Sequence, residues 1–351
     1  MEVSFPSSLI SDVRPDGLIA CQKGKTNWAA FIEAKSEKNL IRVDQITSYL
    51  ELAKQTGVEN IITISNEFAR VPSEPPYHVD RKKSRSLNVM HFAWSDIRTS
   101  LELARCNLEL SDAEDALLGE CLEYFWHEKS GILTYDAMPE VWPNFVEAAS
   151  TALGFNSNVK GFTDVVYGWQ QERRDLCSKL THFLSTEVEL RHRAGVRSTD
   201  EERTKLDRQD LSSNYILHTQ YFFKHAKIAI NVELNLHSSR MIATMDVPVP
   251  EGKGARATIS WLSKLLENIP LEGANLFIDW PGRGRDFEMP VTEFLREPEM
   301  VLDGQKLAPK GVSLILSRHG VRNFKSRKKV VVDLEDMVIS LARYGIDAGW
   351  L

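Results

Sequence analysis

The sequence predicts an α/β region at the N-terminus, a helical region in the middle and an α+β region at the C-terminus. In the first 105 residues, short apolar runs typical of strands surround one amphipathic helical pattern. From about residue 95 the apolar side chains recur at helical spacing, and from residue 214 they recur in short strand-like runs. We therefore expect domains at 1–105 and 214–351, a helical region at 106–195, and a linker at 196–213, where apolar side chains are few.

Two apolar strands open the N-terminal region and carry charged residues at their ends. Asp16 immediately precedes the first strand, and Glu33 and Lys35 end the second. Because successive side chains of a strand point to opposite faces, Glu33 and Lys35 share one face. A carboxylate and an ammonium at the end of a buried strand are costly unless something compensates them. A divalent metal shared with Asp16 would compensate them and would create a hydrolytic site.

Plainer interpretations of these residues remain open. Pro15-Asp16-Gly17 is strong turn chemistry, and the charged pair at the end of the second strand could be exposed and without a role. Two more acidic-x-Lys triplets occur, but Asp80-Arg-Lys82 lies in a basic polar loop and Glu251-Gly-Lys253 lies in a Pro/Gly turn. Only Glu33-Ala34-Lys35 ends an apolar run with a Pro-Asp shortly upstream.

The pattern that follows is helix, strand, strand. Residues 41–56 form an amphipathic helical pattern that Gly57 is expected to end. Apolar runs at 60–65 and 87–94 predict two further strands. The apolar face of the predicted helix consists of Ile46, Tyr49, Leu50 and Ala53.

These first 105 or so residues resemble the PD-(D/E)xK nuclease superfamily. Pro15-Asp16 matches the first half of the family motif and Glu33-Ala34-Lys35 the second. Gln45 and Tyr49 lie one helical turn apart and resemble the Gln-x-x-x-Tyr element of RecB-like members. The order of hairpin, helix, strand and strand is similar to the restriction-endonuclease-like core, a mixed sheet flanked by helices. That core usually opens with a helix, which the short, proline-containing stretch before Asp16 is not expected to form.

The resemblance implies a metal-dependent active site. Mg²⁺ or Mn²⁺ would be held by Asp16, Glu33 and the backbone carbonyl of Ala34. Lys35 would orient or deprotonate the attacking water, or stabilise the charge that develops on the phosphorane. Hydrolysis of the phosphodiester would proceed without a covalent enzyme intermediate.

The resemblance also implies a biological setting and a partner. Gln45 and Tyr49 would contact the water near the metal or the nucleic-acid backbone, although a solvated glutamine and a core tyrosine are the plainer interpretations. The expected function is cleavage of DNA in restriction, phage defence or repair, with defence as the first choice. The alternative is a catalytically inactive nuclease-like module for nucleic-acid binding or assembly.

Two basic clusters are candidates for contact with a phosphate backbone. The first lies in the loop between the two later strands, and the second lies near the C-terminus and contains Phe324. A solvated loop is the plainer interpretation of each. The residues predicted to bind nucleic acid are Arg81, Lys82, Lys83, Arg85, Arg327, Lys328 and Lys329.

The rest of the chain gives a more general prediction. A capping box at Ser111–Glu114 begins one helix and residues 164–194 form one long helical pattern. In the C-terminal region the Gly/Arg loop with Arg283 and Arg285 offers a third hypothesis, a small-ligand sensor. We expect the helical and C-terminal regions to bind substrate, a partner protein or a second copy of the chain. The predicted C-terminal elements are strands at 215–223, 228–236, 241–247, 274–280 and 312–317, and helices at 256–268 and 334–343.

Composition sets outer bounds. The chain has 351 residues, a net charge of -6 and a pI of about 5.9, which does not favour nucleic-acid binding through overall charge. It contains no apolar stretch long enough for a membrane span and no signal-like N-terminus, so we expect a cytoplasmic protein without a membrane partner. The four cysteines have no close spacing, which fits reduced thiols and argues against a zinc site.

Overall fold

A computed structural model of the chain describes residues 13–69, 71–80, 82–151, 154–192, 199–267, 269, 273–282 and 286–351. Arg81, Arg283 and Arg285, and most of the stretch before Asp16, lie outside the described residues. The chain forms two compact units, of which the first ends at Thr134 and the second begins at Tyr135. Among the described residues, no helix combines the length and the apolar character that a membrane span requires.

The first unit contains a four-stranded mixed sheet in the order β1-β2-β3-β4. β1 and β2 form an antiparallel hairpin, whereas β2, β3 and β4 are parallel. Among the described residues β1 is an edge strand, and its side chains are mostly exposed. The strands are β1 (Gly17–Lys23), β2 (Thr26–Ala34), β3 (Asn60–Ser65) and β4 (Asn88–Ala93), and the helices are α1 (Val43–Thr56), α2 (Trp94–Asn107) and α3 (Asp112–Trp126).

Helix α1 connects β2 to β3 and covers the sheet with the apolar face that the sequence predicts. Ile46, Tyr49 and Leu50 on that face are buried together with Phe31 of β2. Gly57 ends the helix in a left-handed conformation, and its N–H bonds to the carbonyl of Ala53. The predicted strand, helix and strand pattern is therefore present in this unit.

The first unit extends beyond the predicted boundary at residue 105, which falls inside α2. The capping box predicted at Ser111–Glu114 opens α3, which packs on α2. Arg98 of α2 is buried with its guanidinium 3.8 Å from the ring centroid of Trp126. The indole N–H of Trp126 donates to Glu102 Oε1 at 2.9 Å. These buried contacts join the two helices to each other, and α2 also packs on β4 of the sheet.

The second unit contains a seven-stranded antiparallel sheet in the order β10-β9-β11-β8-β7-β6-β5. Helix α10 packs on β8 and β11, and α5 packs on β5. The edge strands β5 and β10 have four residues each. The strands are β5 (Val188–Arg191), β6 (Ile216–Phe223), β7 (Ile228–Asn235), β8 (Arg240–Asp246), β9 (Asn275–Asp279), β10 (Phe287–Pro290) and β11 (Gly311–His319). The helices are α4 (Trp142–Ser150), α5 (Phe162–Leu184), α6 (Asp200–Asn214), α7 (Ala255–Leu266), α8 (Val291–Arg296), α9 (Val321–Lys325) and α10 (Arg327–Asp347), with short 3₁₀ helices at Glu128–Ser130 in the first unit and Pro298–Val301 in the second.

Two predictions about this unit are wrong. The long helix predicted over 164–194 ends at Leu184, because Ser185 adopts a left-handed conformation and the chain then pairs with β6 as strand β5. The predicted linker over 196–213 is mostly helix α6, which begins at Asp200 with a capping box. This helix buries Leu211 and a charged side chain, Asp207, so its inward face has few of the apolar residues that mark a helix in a sequence.

Candidate active site

The end of strand β2 places Glu33 and the following Lys35 at the centre of the candidate site. Glu33 lies near the end of β2 and is fully buried. Lys35 follows the strand, and its side chain is 25% exposed. The backbone of Lys35 is held on both sides, because its N–H donates to the Ile64 carbonyl at 2.8 Å and its carbonyl accepts from the indole N–H of Trp94 at 2.8 Å. These two hydrogen bonds fix the backbone from which the Lys35 side chain extends.

The hairpin register brings Asp16 beside these two residues. Gly17 pairs with Ile32, so the residue before Gly17 lies close to the end of β2. The carboxylate of Asp16 accepts a 2.9 Å hydrogen bond from the Ala34 N–H, and its Oδ2 lies 4.0 Å from Lys35 Nζ. The Asp16 side chain is 42% exposed and therefore open to solvent. The contact between Ala34 and Asp16 is therefore made by the Ala34 N–H, whereas the predicted metal ligand is the Ala34 carbonyl.

Glu33 is the point at which the candidate residues meet. One carboxylate oxygen, Oε1, contacts the ammonium of Lys35 and accepts from Gln45 Nε2 at 2.7 Å. The other, Oε2, accepts from the Tyr49 hydroxyl at 2.5 Å. Gln45 Nε2 also lies 2.9 Å from the Tyr49 hydroxyl. All five residues predicted to be catalytic, the four named here and Asp16, therefore lie in one cluster.

Tyr49 serves the hydrophobic core and the site at once. Its ring is buried in the core of the first unit, as the plainer interpretation expects, while its hydroxyl reaches Glu33. Burial, followed by the hydrogen bond to the Glu33 carboxylate and the charge of that carboxylate, raises the pKa of Tyr49 above its ordinary value. The phenol keeps its proton at neutral pH and remains a donor to Glu33.

An open cleft of about 730 Å³ adjoins the cluster. Lys35, Gln45 and Tyr49 line it, so a ligand in the cleft could reach the Lys35 side chain directly. Sequence reasoning did not select Arg14 and Arg42, which also line the cleft, where Arg42 is paired with Asp44. The only signal for them in the sequence is that Arg14 precedes Pro15-Asp16 and that Arg42 immediately precedes α1. The residues lining the cleft are Val13, Arg14, Lys35, Arg42, Asp44, Gln45, Ser48 and Tyr49.

The donor set suits a hard cation. Asp16 and Glu33 supply carboxylate oxygens, which Mg²⁺ and Mn²⁺ prefer, and Mg²⁺ commonly binds through only one or two carboxylates plus water. Within the described ranges no group of three or more His, Cys, Asp or Glu residues is placed to hold a metal ion, so a cation here would bind two carboxylates and take its other ligands from water. The ammonium of Lys35, which contacts Glu33 and lies 4.0 Å from Asp16, indicates that this space accommodates positive charge. Direct metal binding by Glu33 Oε1 would require Lys35 to swing away from it.

The described residues of the first predicted basic cluster, Lys82, Lys83 and Arg85, lie at the other end of the sheet from Glu33. Lys82 lines a cleft of about 1270 Å³ together with Asn60 and Asn88, which begin β3 and β4. Lys82 and Arg85 are exposed, and Lys83 pairs with Glu51 at 3.1 Å. The cluster could contact nucleic acid only at a distance from the carboxylates.

Tyr49→Phe is expected to lower the free energy of unfolding by about 1–3 kcal/mol, because buried Glu33 would lose its phenol donor. Urea denaturation of the full-length chain would measure this loss. Tyr124→Phe is the matched control, since Tyr124 is exposed in the same unit and its change should stay within about 0.5 kcal/mol. Equal losses in the two variants would show that the hydroxyl of Tyr49 contributes nothing special.

No protein-family model matches the chain, and no curated protein matches it. The functional proposal therefore depends on the geometry around Glu33 and on the motif resemblance.

Proposed function

We propose that the protein is a Mg²⁺- or Mn²⁺-dependent nuclease that hydrolyses phosphodiester bonds in DNA. The observation that supports it most is the contact of Lys35, Gln45 and Tyr49 with the buried carboxylate of Glu33, with Asp16 4.0 Å from Lys35 and an open polar cleft alongside. The mixed sheet built from a hairpin, a helix and two parallel strands supports a restriction-endonuclease-like core. The motif spacing adds the resemblance to PD-(D/E)xK enzymes.

Each residue has a role that follows from its surroundings. Asp16 and Glu33 would hold the cation, which when bound would acidify a water and offset the charge on the phosphate. Lys35 is accessible from the cleft and would orient the attacking water or stabilise the oxyanion that forms. Water attacks phosphorus and the bond to the leaving oxygen breaks in the same displacement. Gln45 and Tyr49 both donate to Glu33, so they are positioning residues that fix the direction of its lone pairs.

Cleavage assays test the proposal directly. Supercoiled, linear and single-stranded DNA should be cut in the presence of Mg²⁺ or Mn²⁺ and left intact with EDTA, and RNA in parallel reports the sugar preference. Absence of metal-dependent products from every substrate would overturn the enzyme proposal. Gel shifts without cleavage would instead favour the inactive binding module, which the contact between Lys35 and Glu33 also fits, because it occupies a carboxylate oxygen.

A role in phage defence or restriction is the proposed setting, by resemblance to the superfamily. Expression in a bacterial host should then reduce phage plaque formation, and a Lys35→Ala strain should not. Equal plaque counts on the wild-type and Lys35→Ala strains with several phages would contradict a role in defence, and the proposal of nuclease activity would not be affected.

A further inference from the structure

In the second basic cluster, which spans residues 317–329, some side chains have hydrogen-bond or ion-pair partners and others have none among the described residues. Among the described residues, no hydrogen bond or ion pair involves the side chains of Arg318, His319 or Arg322. The cations predicted to bind nucleic acid, by contrast, open helix α10 and already have partners in the second unit. These pairs are Arg327 Nε with the Met138 carbonyl at 2.6 Å, Lys328 Nζ with Asp136 at 3.1 Å and Lys329 Nζ with Asp333 at 2.5 Å. A phosphate ligand would meet less competition at Arg318 and His319.

Arg318 and His319 border a cavity of about 210 Å³. Both lie at the end of β11, where His319 pairs with Arg240, the first residue of β8. Asn323 and Lys329 also line the cavity. The volume is below the roughly 300–1,000 Å³ of pockets that enclose a drug-sized ligand. The cavity therefore suits one small polar group, with the remainder of a larger ligand outside it.

Ser239 supplies a second observation at the same place. It lines the cavity, is only 1% exposed, and its hydroxyl has no hydrogen-bond partner among the described residues. Its φ of 49° is in the left-handed region, which serine seldom adopts. Buried hydroxyl groups in proteins are nearly always paired, with protein or with a bound molecule. An acceptor placed in this cavity would satisfy the hydroxyl.

The charge in the cavity favours an anion. Arg318 and Lys329 carry positive charge, and Asp333 is paired with Lys329, so its repulsion of an anion is offset. Arg318 and Lys329 together with Asp333 leave one net positive charge among these three residues. A guanidinium forms bidentate bonds with phosphate oxygens, and a serine hydroxyl donates to a third.

We propose that this cavity binds a phosphate group through Arg318, His319 and Ser239. The group could come from a nucleic-acid backbone or from a free nucleotide, since both present the same oxygens. The site lies entirely in the second unit, and its existence does not depend on the nuclease proposal.

Calorimetric titration of the full-length chain in phosphate-free buffer with EDTA tests the site without any cleavage. The probes are inorganic phosphate, a nucleoside monophosphate and a short single-stranded oligonucleotide. We expect Arg318→Ala to weaken binding at least tenfold and Ser239→Ala to weaken it several-fold. Arg322→Ala is the matched control, because it removes an unpaired arginine of the same segment that does not line the cavity.

Each outcome is decisive for the cavity. Binding that falls with Arg318→Ala and Ser239→Ala but not with Arg322→Ala supports the proposal. Preference for the oligonucleotide then identifies a backbone phosphate, and preference for the mononucleotide identifies a free nucleotide. No binding of any probe, or equal weakening by Arg318→Ala and Arg322→Ala, overturns it. Because no outcome depends on catalysis, a failure here is distinct from a failure of the proposed nuclease.

Discussion

Lys35→Ala is expected to lower the rate of metal-dependent DNA cleavage by about 10²- to 10⁴-fold, the usual contribution of a group that transfers or orients a proton in the transition state. The ammonium contacts Glu33, lies 4.0 Å from Asp16 and borders the cleft, so its loss removes positive charge at the point where the phosphate would react. Initial rates on supercoiled plasmid at saturating Mg²⁺ would measure the effect. Asp16→Asn should lower the rate by a similar factor, because it removes one of the two carboxylates proposed to hold the cation. The Asp16 side chain is exposed, so this change should leave the core intact.

The matched control for Lys35→Ala is Lys253→Ala. It also removes the lysine of an acidic-x-Lys triplet, but one in an exposed turn of the second unit, and cleavage should be unchanged. Thermal unfolding of the two variants would separate a catalytic loss from misfolding. Full activity in a folded Lys35→Ala protein would contradict the assignment of the active site to the end of β2, even if the protein proved to be a nuclease.

Arg173→Met should be the most damaging substitution for stability, with a loss of about 3–5 kcal/mol in the free energy of unfolding. Arg173 of α5 is 3% exposed, and its Nη1 lies 3.0 Å from one carboxylate oxygen of Asp207 and 2.9 Å from the other. Removal of the guanidinium leaves a buried carboxylate without its cation. Lys205→Met on the same helix as Asp207 is the control, because Lys205 is exposed and should change stability by less than about 0.5 kcal/mol.

The size of this loss should depend on pH. Burial raises the pKa of Asp207 to about 6, and Arg173 opposes the rise. A carboxyl with a raised pKa binds its proton more tightly in the folded protein, so its favourable contribution is present at low pH and is lost as the pH rises through about 6. Without Arg173 the pKa rises further, and Arg173→Met should therefore be more destabilising at pH 8 than at pH 5.

Urea denaturation at the two pH values would measure this difference. The double variant Arg173→Met/Asp207→Asn should recover part of the stability and lose the extra dependence on pH, because the carboxylate of Asp207 is no longer there to titrate. Gln170, Arg203 and Asp210 also surround this pair, and the His192 ring lies 3.5 Å from the carboxylate of Asp207. The wild-type protein measured at the same pH values gives the dependence that comes from the other titratable groups. A loss independent of pH in the single variant would contradict the assigned ionisation of Asp207.

Local sequence signals located the elements around Glu33. The end of β2, the apolar face of α1 and its stop at Gly57 all depend on residues close in sequence, so alternation and helical spacing were sufficient. The bond from Trp94 to the Lys35 carbonyl joins residues far apart in the chain, and no pattern marks it in advance. The positions predicted for the site thus came together, while the contacts that orient them became visible only in three dimensions.

The errors have a different origin. Val188–Arg191 continued a charged helical pattern, but pairing with β6 makes it a strand, and such pairing is not encoded locally. Helix α6 escaped notice because a buried ion pair with Arg173 occupies part of its inward face, where a helix normally carries apolar residues. Periodicity of hydrophobic residues cannot detect a helix whose burial includes a charge.

The edge strands of the two sheets differ in length, and this difference affects how readily the protein would self-associate at high concentration. The four-residue edge strands of the second sheet offer few free backbone groups to another molecule. In the first unit β1 presents seven residues at the edge, with Leu18 and Ile19 nearly half exposed. Long apolar edges of this kind recruit strands from neighbouring chains. Among the described residues β1 is the longest edge strand of either sheet, one residue longer than β4, so intermolecular β-pairing at this edge would engage the strand that directly follows Asp16.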